Sequence, residues 1–440
     1  MAKYQYYTEH KETGFEWLKT IPEHWKLTYS KWLFKDRNEK AIPSDEMLTA
    51  SQKYGVIPQK LFMEMEQQKV VLVFKGHDIL KHVEKNDFVI SMRSFQGGIE
   101  YCNYVGAVSS AYVPLEPQGR ISTRYFKYLF KSRPYIQALQ ATTNLVRDGQ
   151  ALRYSNFLQV HIPVLPFEEA ESIGLFLDFE TAQIDILIEK QQTLIKLLKE
   201  KRQAVISHAV TKGLNPDAPM KDSGVEWLGE VPEHWEVKKL KYLIIEPLQY
   251  GANEAAEEID PTQPRFVRIT DVLPNGDLKD DTFRSLPEEI AEPYMLTDGD
   301  VLLARSGGTV GKSFIYRDSW GKCCFAGYLI KARIDESIVP AQWFYLNTLT
   351  DFYWKWIESI QIQATIQNVS ADKYNSFVVA IPPLEESHKV ILYIKSNLET
   401  FDDLINKAEQ AIQLMQERRT ALISAAVTGK IDVRGWQAPE

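Results

Sequence analysis

Hydrophobic positions recur with helical spacing in two long segments of the chain, residues 184–210 and 401–427. In the first segment, apolar side chains follow one another at intervals of three, four and seven, and neither glycine nor proline interrupts them. The second segment has a similar stripe, with alanines where two helices could approach closely. The pattern predicts two long helices that are each other's packing partner and that end near Gly213 and Gly429.

A helix of this length would measure roughly 50 Å, so the pair would act as a spacer between globular parts of the chain. An isologous contact between duplicated units favours an antiparallel arrangement of the two helices. The side chains expected to pack the helices together, or against a partner protein, are Ile184, Leu187, Leu194, Leu198, Phe401, Leu404, Ala408 and Met415.

Shorter periodic runs lie between the long segments. They predict strands at residues 69–74, 88–92 and 301–304 and a helical stretch at residues 123–139. The fold class expected from this mixture is α+β, with two globular halves separated by two long antiparallel coiled-coil helices.

An internal repeat organises the chain. Residues 14–25 (GFEWLKTIPEHW) match residues 224–235 (GVEWLGEVPEHW) at eight of twelve positions. Residues 200–211 (EKRQAVISHAVT) match residues 417–428 (ERRTALISAAVT) equally well. The same features therefore occur in the same order twice, which indicates two copies of one unit related by a pseudo-two-fold axis. Because His24 and His234 recur beside a tryptophan in both copies, we expect them to have a structural role.

The repeat sets the expected domain boundaries. A first globular domain would span residues 1–165 and a first spacer helix residues 166–214. A linker with Asn215, Pro216 and Pro219 would lead into a second globular domain within residues 215–382, and a second spacer helix and tail would fill residues 383–440.

Composition bounds the class of protein. With 44% hydrophobic residues in 440, the chain is long enough for two compact domains. It shows no leader-like start and no apolar stretch of membrane-spanning length, so we expect a soluble, cytoplasmic protein without a membrane partner. Cys102, Cys323 and Cys324 form no metal-binding spacing, and we expect them to be buried small apolar residues and no metal to be bound.

Glycine-rich and amide-rich segments carry the candidate binding chemistry. Residues 306–313 (SGGTVGKS) come within one residue of a phosphate-binding loop, but serine stands where that loop needs glycine. The glycines could instead let the backbone approach DNA, with the cations contacting phosphates or a guanine edge and the amides pairing with adenine. An ordinary hairpin with solvated charges is the alternative. The candidate DNA-binding residues are Arg93, Gln96, Gly97, Gly98, Arg305, Gly307, Gly308, Lys312, Gln363, Gln367 and Asn368.

The net charge of −8 neither selects nor excludes DNA as a partner, because binding needs only a local positive surface.

Taken together, these motifs resemble the specificity subunits of type I restriction-modification enzymes. The resemblance covers nearly the whole chain and rests on the paired G-x-E-W-L-x-x-x-P-E-H-W openings and on Gly299-Asp300-Val301-Leu302-Leu303-Ala304-Arg305 with the glycines that follow. It rests also on Ile381-Pro382-Pro383-Leu384-Glu385-Glu386 and on two long helices closing with S-x-A-V-T. The first unit departs from the second motif, where it reads Asp87-Phe88-Val89-Ile90-Ser91-Met92-Arg93.

The resemblance implies two target-recognition domains, each reading one half of a split, asymmetric sequence in double-stranded DNA. It implies docking of methyltransferase subunits, two in number, and through them of restriction subunits. It also implies that no catalytic residue and no cofactor belong to this chain, with S-adenosylmethionine, ATP and magnesium used by the partners.

Two other functions compete with this interpretation. One is a self-sufficient DNA nuclease or methyltransferase, although the chain has no N-P-P-F or D-P-P-Y tetrapeptide. Asp217 with Glu236 and Lys238 superficially resembles a nuclease signature, but the first lies in the predicted linker. The other is a coiled-coil scaffold with no role in nucleic-acid binding.

Overall fold

The computed structural model describes residues 4–67, 79–91, 94–142, 152–256, 258–273, 276–361 and 368–438. It divides into two compact units. The first unit contains Met1–Gln192 and Gln410–Glu440, and the second contains Thr193–Glu409. Each unit therefore holds one part of each long helix, whereas the predicted boundaries assigned the helices to segments of their own.

The first unit is an α+β body whose strands are short. They are β1 (His10–Phe15), β2 (Leu18–Pro22), β3 (Lys26–Tyr29), β4 (Phe34–Asp36), β5 (Leu48–Ser51), β6 (Gly55–Pro58), β7 (Lys81–Val83), β8 (Phe88–Ile90), β9 (Glu100–Tyr101), β10 (Gly106–Val108), β11 (Val113–Pro117) and β12 (His161–Val164). The helices are α1 (Gln59–Glu66), α2 (Ser94–Gly97), α3 (Thr123–Leu129), α4 (Arg133–Ala141), α5 (Tyr154–Gln159) and the long α6 (Phe167–Lys212), which continues into the second unit.

The second unit has the same character. Its strands are β13 (Met220–Asp222), β14 (Glu230–Pro232), β15 (Glu236–Lys239), β16 (Gln249–Tyr250), β17 (Arg265–Val267), β18 (Val301–Ala304), β19 (Ser313–Ile315), β20 (Cys323–Phe325), β21 (Leu329–Ala332) and β22 (Val378–Ile381). Its helices are α7 (Glu288–Ala291), α8 (Ala341–Thr348), α9 (Asp351–Gln361), α10 (Ala371–Asn375) and the long α11 (Leu384–Val427), which continues into the first unit.

Three sheet elements occur in both units with the same connectivity. An antiparallel hairpin comes first, β1 with β2 and β13 with β14. The next strand pairs with the strand that leads into the long helix, β3 with β12 and β15 with β22. A four-stranded antiparallel sheet has the order β4-β11-β8-β9 in one unit and β16-β21-β18-β19 in the other. The sequence repeat is thus a repeat of topology, and the α+β prediction is confirmed.

The remaining strands differ between the units. In the first unit β7 pairs with β10 and β5 with β6, both antiparallel. In the second unit β17 and β20 form a parallel pair instead. The two units therefore share a frame and differ in what is attached to it.

The long helices run antiparallel inside each unit. In the first unit Asp185 of α6 pairs with Arg419 of α11 at 2.9 Å, while Phe176, nine residues earlier, packs on Trp436 beyond the end of α11. In the second unit Leu198, Phe401 and Ile405 form a buried cluster between the helices. The helices end at Lys212 and Val427, near Gly213 (φ 75°) and Gly429 (φ 70°) as predicted, because a left-handed glycine closes the last turn.

Only part of the predicted helix stripe lies between the helices. Ile184, Leu198, Phe401 and Ala408 are buried, and Met415 packs against the first unit's core. Leu187, Leu194 and Leu404 are 43% to 49% exposed and do not pack in the helix pair. Two helices in contact bury only a narrow seam, so an apolar band wider than that seam leaves residues on the outer face.

The shorter predicted elements have mixed outcomes. The strand at 301–304 is confirmed, and that at 88–92 is observed as Phe88–Ile90. The single helix expected at 123–139 is two helices, α3 and α4, because Ser132 caps a new helix whose first turn contains Pro134. The strand expected at 69–74 lies outside the described residues.

Candidate nucleic-acid interface

A carboxylate in the first turn of α6 fixes the repeated opening motif of the first unit. Glu169 Oε1 accepts hydrogen bonds from Trp25 Nε1 at 2.9 Å and from Tyr7 OH at 2.6 Å, and Oε2 lies 2.8 Å from His24 Nε2. Glu169 is only 6% exposed. Hydrogen bonds to a buried carboxylate are strong, so this contact ties the N-terminal hairpin to the start of the helix.

The same arrangement occurs in the second unit. Glu386, in the first turn of α11, accepts a hydrogen bond from Trp235 Nε1 at 3.2 Å and lies 2.8 Å from His234 Nε2. We call each His-Trp-Glu set a helix clamp. The predicted structural role of the two recurring histidines is confirmed.

A buried aspartate supports the central strand of each four-stranded sheet. Asp87, directly before β8, is held by Arg37 with Nε–Oδ2 and Nη2–Oδ1 distances of 2.6 and 3.1 Å. Asp300, directly before β18, is held by Arg333 through two bonds of 2.8 Å. The Asp87 carboxyl keeps a raised pKa because burial outweighs the effect of Arg37. These pairs fix the strand that leads into each glycine-containing loop.

In the second unit the structure brings the predicted loop and the predicted amide segment together. Ser306 and Asn368 form an isolated antiparallel bridge, and Val369 N donates a hydrogen bond to Arg305 O at 2.8 Å. Gly307, Gly308, Lys312 and Asn368 are exposed. Gln363 and Gln367 lie outside the described residues.

The Arg305 side chain is held by an aromatic ring, and its guanidinium forms no hydrogen bond with a described residue. Its Cζ lies 4.7 Å from the centre of the Tyr250 ring, and its Nε is buried with no partner. Tyr250 is itself fixed, because its hydroxyl accepts a bond from Ala371 N at 3.0 Å. Stacking on an aromatic ring leaves the remaining N–H donors of an arginine available for an external acceptor.

Two tyrosines complete this surface, and the sequence analysis missed both. Tyr250 is 39% exposed and Tyr328, whose carbonyl accepts a bond from Arg305 N at 3.0 Å, is 67% exposed. Each adjoins a glycine, Gly251 or Gly327, and those pairings were the available signal. We call Tyr250, Arg305, Lys312, Tyr328 and Asn368 the Arg305 patch.

An open cleft of about 290 Å³ adjoins the patch at Tyr328. Asn253 and Arg268 also line it. Arg268 is held in place by the fully buried Asp271 through bonds of 3.0 and 2.9 Å. Among the described residues, Arg305 and Lys312 make no ion pair, so the patch presents positive charge, amide groups and aromatic faces.

The corresponding segment of the first unit has a different conformation. Gln96 and Gly97 lie in the short helix α2, where Gln96 is exposed. Gly98 has a φ of 81°, and a Cβ there would lie 2.2 Å from Phe130 O. The close approach of the Phe130 backbone therefore requires glycine at this position. Arg93 lies outside the described residues.

Beside this segment, a carboxyl group is buried. Glu100 on β9 is 1% exposed, and Lys131 Nζ contacts its Oε1 at 2.6 Å and Gly97 O at 3.0 Å. Burial raises the pKa of Glu100 to about 7, although Lys131 acts in the opposite direction.

The side chains that could suggest other chemistry are engaged elsewhere or inert. Burial raises the pKa values of Cys102, Cys323 and Cys324 to about 12, so they remain thiols, and the prediction that they are buried is confirmed. Lys238 pairs with Glu236 at 2.5 Å, within the suspected nuclease signature. Within the described ranges, no three His, Cys, Asp or Glu side chains gather as a metal site would require.

The described helices include none with the length and apolar character needed to span a membrane.

Comparison with known proteins finds relatives of one kind. No protein-family model matches the chain. It is 23% identical over 390 residues to the type I restriction enzyme EcoKI specificity subunit of Escherichia coli (strain K12), a match covering 83% of this chain and 80% of that protein. It is 22% identical over 360 residues to the MjaVIII specificity subunit of Methanocaldococcus jannaschii, covering 80% of each chain.

A solved structure has the same fold. A chain from a structure of a type I restriction-modification system aligns over 92% of this chain and 98% of its own length, with a TM-score of 0.71 and 13% identity. The sequence matches and the shared fold agree with the repeated motifs and with the topology described above. Over most of its length the chain therefore resembles the specificity subunits of type I restriction enzymes, in sequence and in the order of its motifs.

Proposed function

We propose that this chain reads a bipartite, asymmetric sequence in double-stranded DNA, with one half-site for each unit, and that it catalyses no reaction itself. The observation that carries the proposal is the Arg305 patch. Arg305 is preorganised on Tyr250 and has no internal acceptor among the described residues. Arginine, lysine and asparagine are the side chains best suited to guanine, phosphate and adenine respectively.

The mixture of groups in and beside the patch favours reading of base edges over simple charge attraction. Asn368 can donate and accept hydrogen bonds, and Asn253 in the adjoining cleft has the same capacity. The rigid hold of Asp271 on Arg268 would keep a second cationic group in a fixed position. Because the loops of the first unit differ, we propose that its half-site has a different sequence.

Catalysis would then lie in partner subunits. We propose that two methyltransferase subunits, which use S-adenosylmethionine, dock on this chain, and that restriction subunits requiring ATP and magnesium join through them. The apolar residues on the outer faces of the long helices, including Leu187, Leu194 and Leu404, are suitable for such contacts. A self-sufficient nuclease or methyltransferase would instead show turnover when the purified chain alone receives DNA, magnesium and S-adenosylmethionine.

The experiment that tests the proposal is sequencing of methylated positions in DNA from cells that express the chain with its methyltransferase subunits. A single split motif is the expected result, and methylation without sequence preference would overturn the proposal. In the same assay Arg305→Ala should relax or abolish one half-site and leave the other unchanged, with affinity for the original site lowered about 10- to 100-fold.

Two further variants sharpen the assay. Arg305→Lys keeps the charge but loses the planar donor group, so it should also lose discrimination if Arg305 reads a base. Lys322→Ala is the matched control, because Lys322 is an exposed cation of the same unit that pairs with Glu288 outside the Arg305 patch. It should leave both half-sites and the affinity unchanged.

A further inference from the structure

A second surface feature is retained in both units, just after β3 and β15. Lys31, Trp32 and Leu33 stand 210 positions before Lys241, Tyr242 and Leu243, the same offset as in the opening motif. In both units a short 3-10 turn carries the lysine and the aromatic residue, Ser30–Trp32 in one and Leu240–Tyr242 in the other, and the leucine follows it directly. The feature therefore belongs to the repeated frame and not to the divergent parts.

Folding accounts for the leucine of each triplet but not for the other two side chains. Leu243 is fully buried, and Leu33 packs against the core of the first unit. By contrast, Trp32 is 67% exposed and Tyr242 is 60% exposed. Large aromatic side chains so exposed at equivalent positions contribute little to either core.

A lysine lies over each exposed ring. Lys31 Nζ is 5.3 Å from the centre of the Trp32 ring and 5.1 Å from that of Tyr29, and Lys241 Nζ is 4.7 Å from that of Tyr242. Neither lysine forms an ion pair with a carboxylate among the described residues. Each unit thus presents a cation held on an aromatic face, with its charge not neutralised by the protein.

The turns are hydrogen-bonded to the segments that follow the last short helix of each unit. In the second unit Leu240 N donates to Phe377 O at 2.8 Å, two residues after α10, and the first residue of α10, Ala371, bonds Tyr250 of the Arg305 patch. In the first unit Ser30 N donates to Val160 O at 3.2 Å, directly after α5. One short helix therefore connects the Lys241 turn to the Arg305 patch.

Different half-sites have different bases but the same sugar-phosphate backbone. Side chains that read bases must differ between the units, whereas side chains that hold the backbone can be the same. We propose that Lys31 with Trp32, and Lys241 with Tyr242, are equivalent anchors for the backbone of double-stranded DNA, one in each unit. The lysine contacts a phosphate and the aromatic ring packs on the adjoining sugar. This inference rests on the proposed function.

The test uses the assembled methyltransferase complex and two double variants, Lys31→Ala with Trp32→Ala and Lys241→Ala with Tyr242→Ala. Binding is measured by fluorescence anisotropy over a range of salt concentrations on the cognate site, on sites with one half altered, and on unrelated DNA. Each variant should weaken binding to all three DNAs by a similar factor, about tenfold, and should reduce the salt slope by about 1. The methylated sequence should not change.

Arg120→Ala is the matched control, because Arg120 is an exposed cation over the Phe167 ring that has no equivalent in the repeat and pairs with Glu168. It should leave affinity and salt slope unchanged. Scanning calorimetry of each variant shows whether its unit remains folded, and the single substitutions Lys31→Ala and Lys241→Ala provide the salt slope if a double variant does not fold.

Three results would overturn the inference. An altered methylated sequence would indicate that these residues read bases. Unchanged DNA affinity would show that they do not hold DNA. A complex that assembles less well but, once assembled, binds DNA as the wild type does would indicate a protein contact. The wild-type complex separates this inference from the proposed function. If it methylates a split motif but the variants bind like wild type, only the anchors are wrong.

Discussion

The two units share one frame, but the helix clamp that holds the frame together is stronger in the first unit than in the second. The helix clamp of the first unit joins three donors to a carboxylate that is 6% exposed, whereas the clamp of the second unit has two donors and its Glu386 side chain is 31% exposed. Tyr7 has no described counterpart on Glu386. The repeat thus keeps the geometry of the helix clamp, while the burial of the carboxylate and the number of its donors set how much the clamp stabilises each unit.

The largest expected effect comes from removing the clamp carboxylates. Glu169→Ala leaves Tyr7, His24 and Trp25 without their acceptor and should lower the free energy of unfolding by about 3–5 kcal/mol. Glu386→Ala should cost about 1–2 kcal/mol, because this carboxylate has two donors instead of three and is itself 31% exposed, so water can take part of its place. Scanning calorimetry on the whole chain measures both, and equal losses in the two variants would contradict the comparison.

Glycine substitutions give the next effect. Gly98→Ala places a Cβ against Phe130 O at a positive φ and should cost about 2–4 kcal/mol. Gly308→Ala meets no atom within 4 Å and should change stability by less than about 0.5 kcal/mol. Denaturant unfolding tests the pair. A large loss for Gly308→Ala would show that its loop is packed more tightly than the structure indicates.

Glu100 should make the stability of the first unit depend on pH. In the second unit the position equivalent in strand pairing is the apolar Phe314. Because the pKa of Glu100 is raised from 4.5 to about 7 in the folded state, its stabilising contribution is present below pH 4.5 and is lost as the pH rises through 7.

Glu100→Gln cannot ionise, so this loss should disappear. Compared with wild type, the variant should gain roughly 2–3 kcal/mol between pH 5 and pH 8.5. Thermal unfolding across this range is the measurement, with Glu171→Gln, a carboxylate of the same unit on α6, as the control. Parallel pH profiles for wild type and Glu100→Gln would contradict the assignment.

The smallest effects should come from the ion pairs between the long helices. Arg419 with Asp185 belongs to the first unit and Arg202 with Asp402 to the second, and all four side chains are at least one-third exposed. Arg419→Ala and Arg202→Ala should each cost less than about 0.5 kcal/mol, and less still at high salt. A larger loss would mean that charge, and not the buried apolar seam, orients the helices.

More of the shared frame than of the binding surface could be predicted from the sequence. Helical spacing located both long helices, because a regular apolar stripe is a local signal. Only part of the helix clamp could be predicted from the sequence. His24 and Trp25 were identified as structural, but the repeat gave no direct sign that Glu169, 144 residues after Trp25, would be their acceptor. That the Glu-Glu pair opens both long helices was the available clue.

The binding surface depends on contacts between distant segments, which is why it could be predicted only in part. Arg305 and Asn368 were selected separately for their chemistry, and a backbone bridge brings them together. Tyr250 was missed because its role comes from its place under the Arg305 guanidinium. The breadth of the helix stripe was misleading for Leu187 and Leu194, since periodicity gives the apolar face but not how much of it a partner helix covers.

The division of the chain has a consequence for the order of synthesis. The second unit is one continuous segment, Thr193–Glu409, whereas the first needs Gln410–Glu440 to complete its core with Leu422, Ile423 and Val427. A chain leaving the ribosome can therefore finish its later domain before its earlier one. The core of the unit that is translated first stays incomplete, with an apolar face exposed, until the last residues emerge.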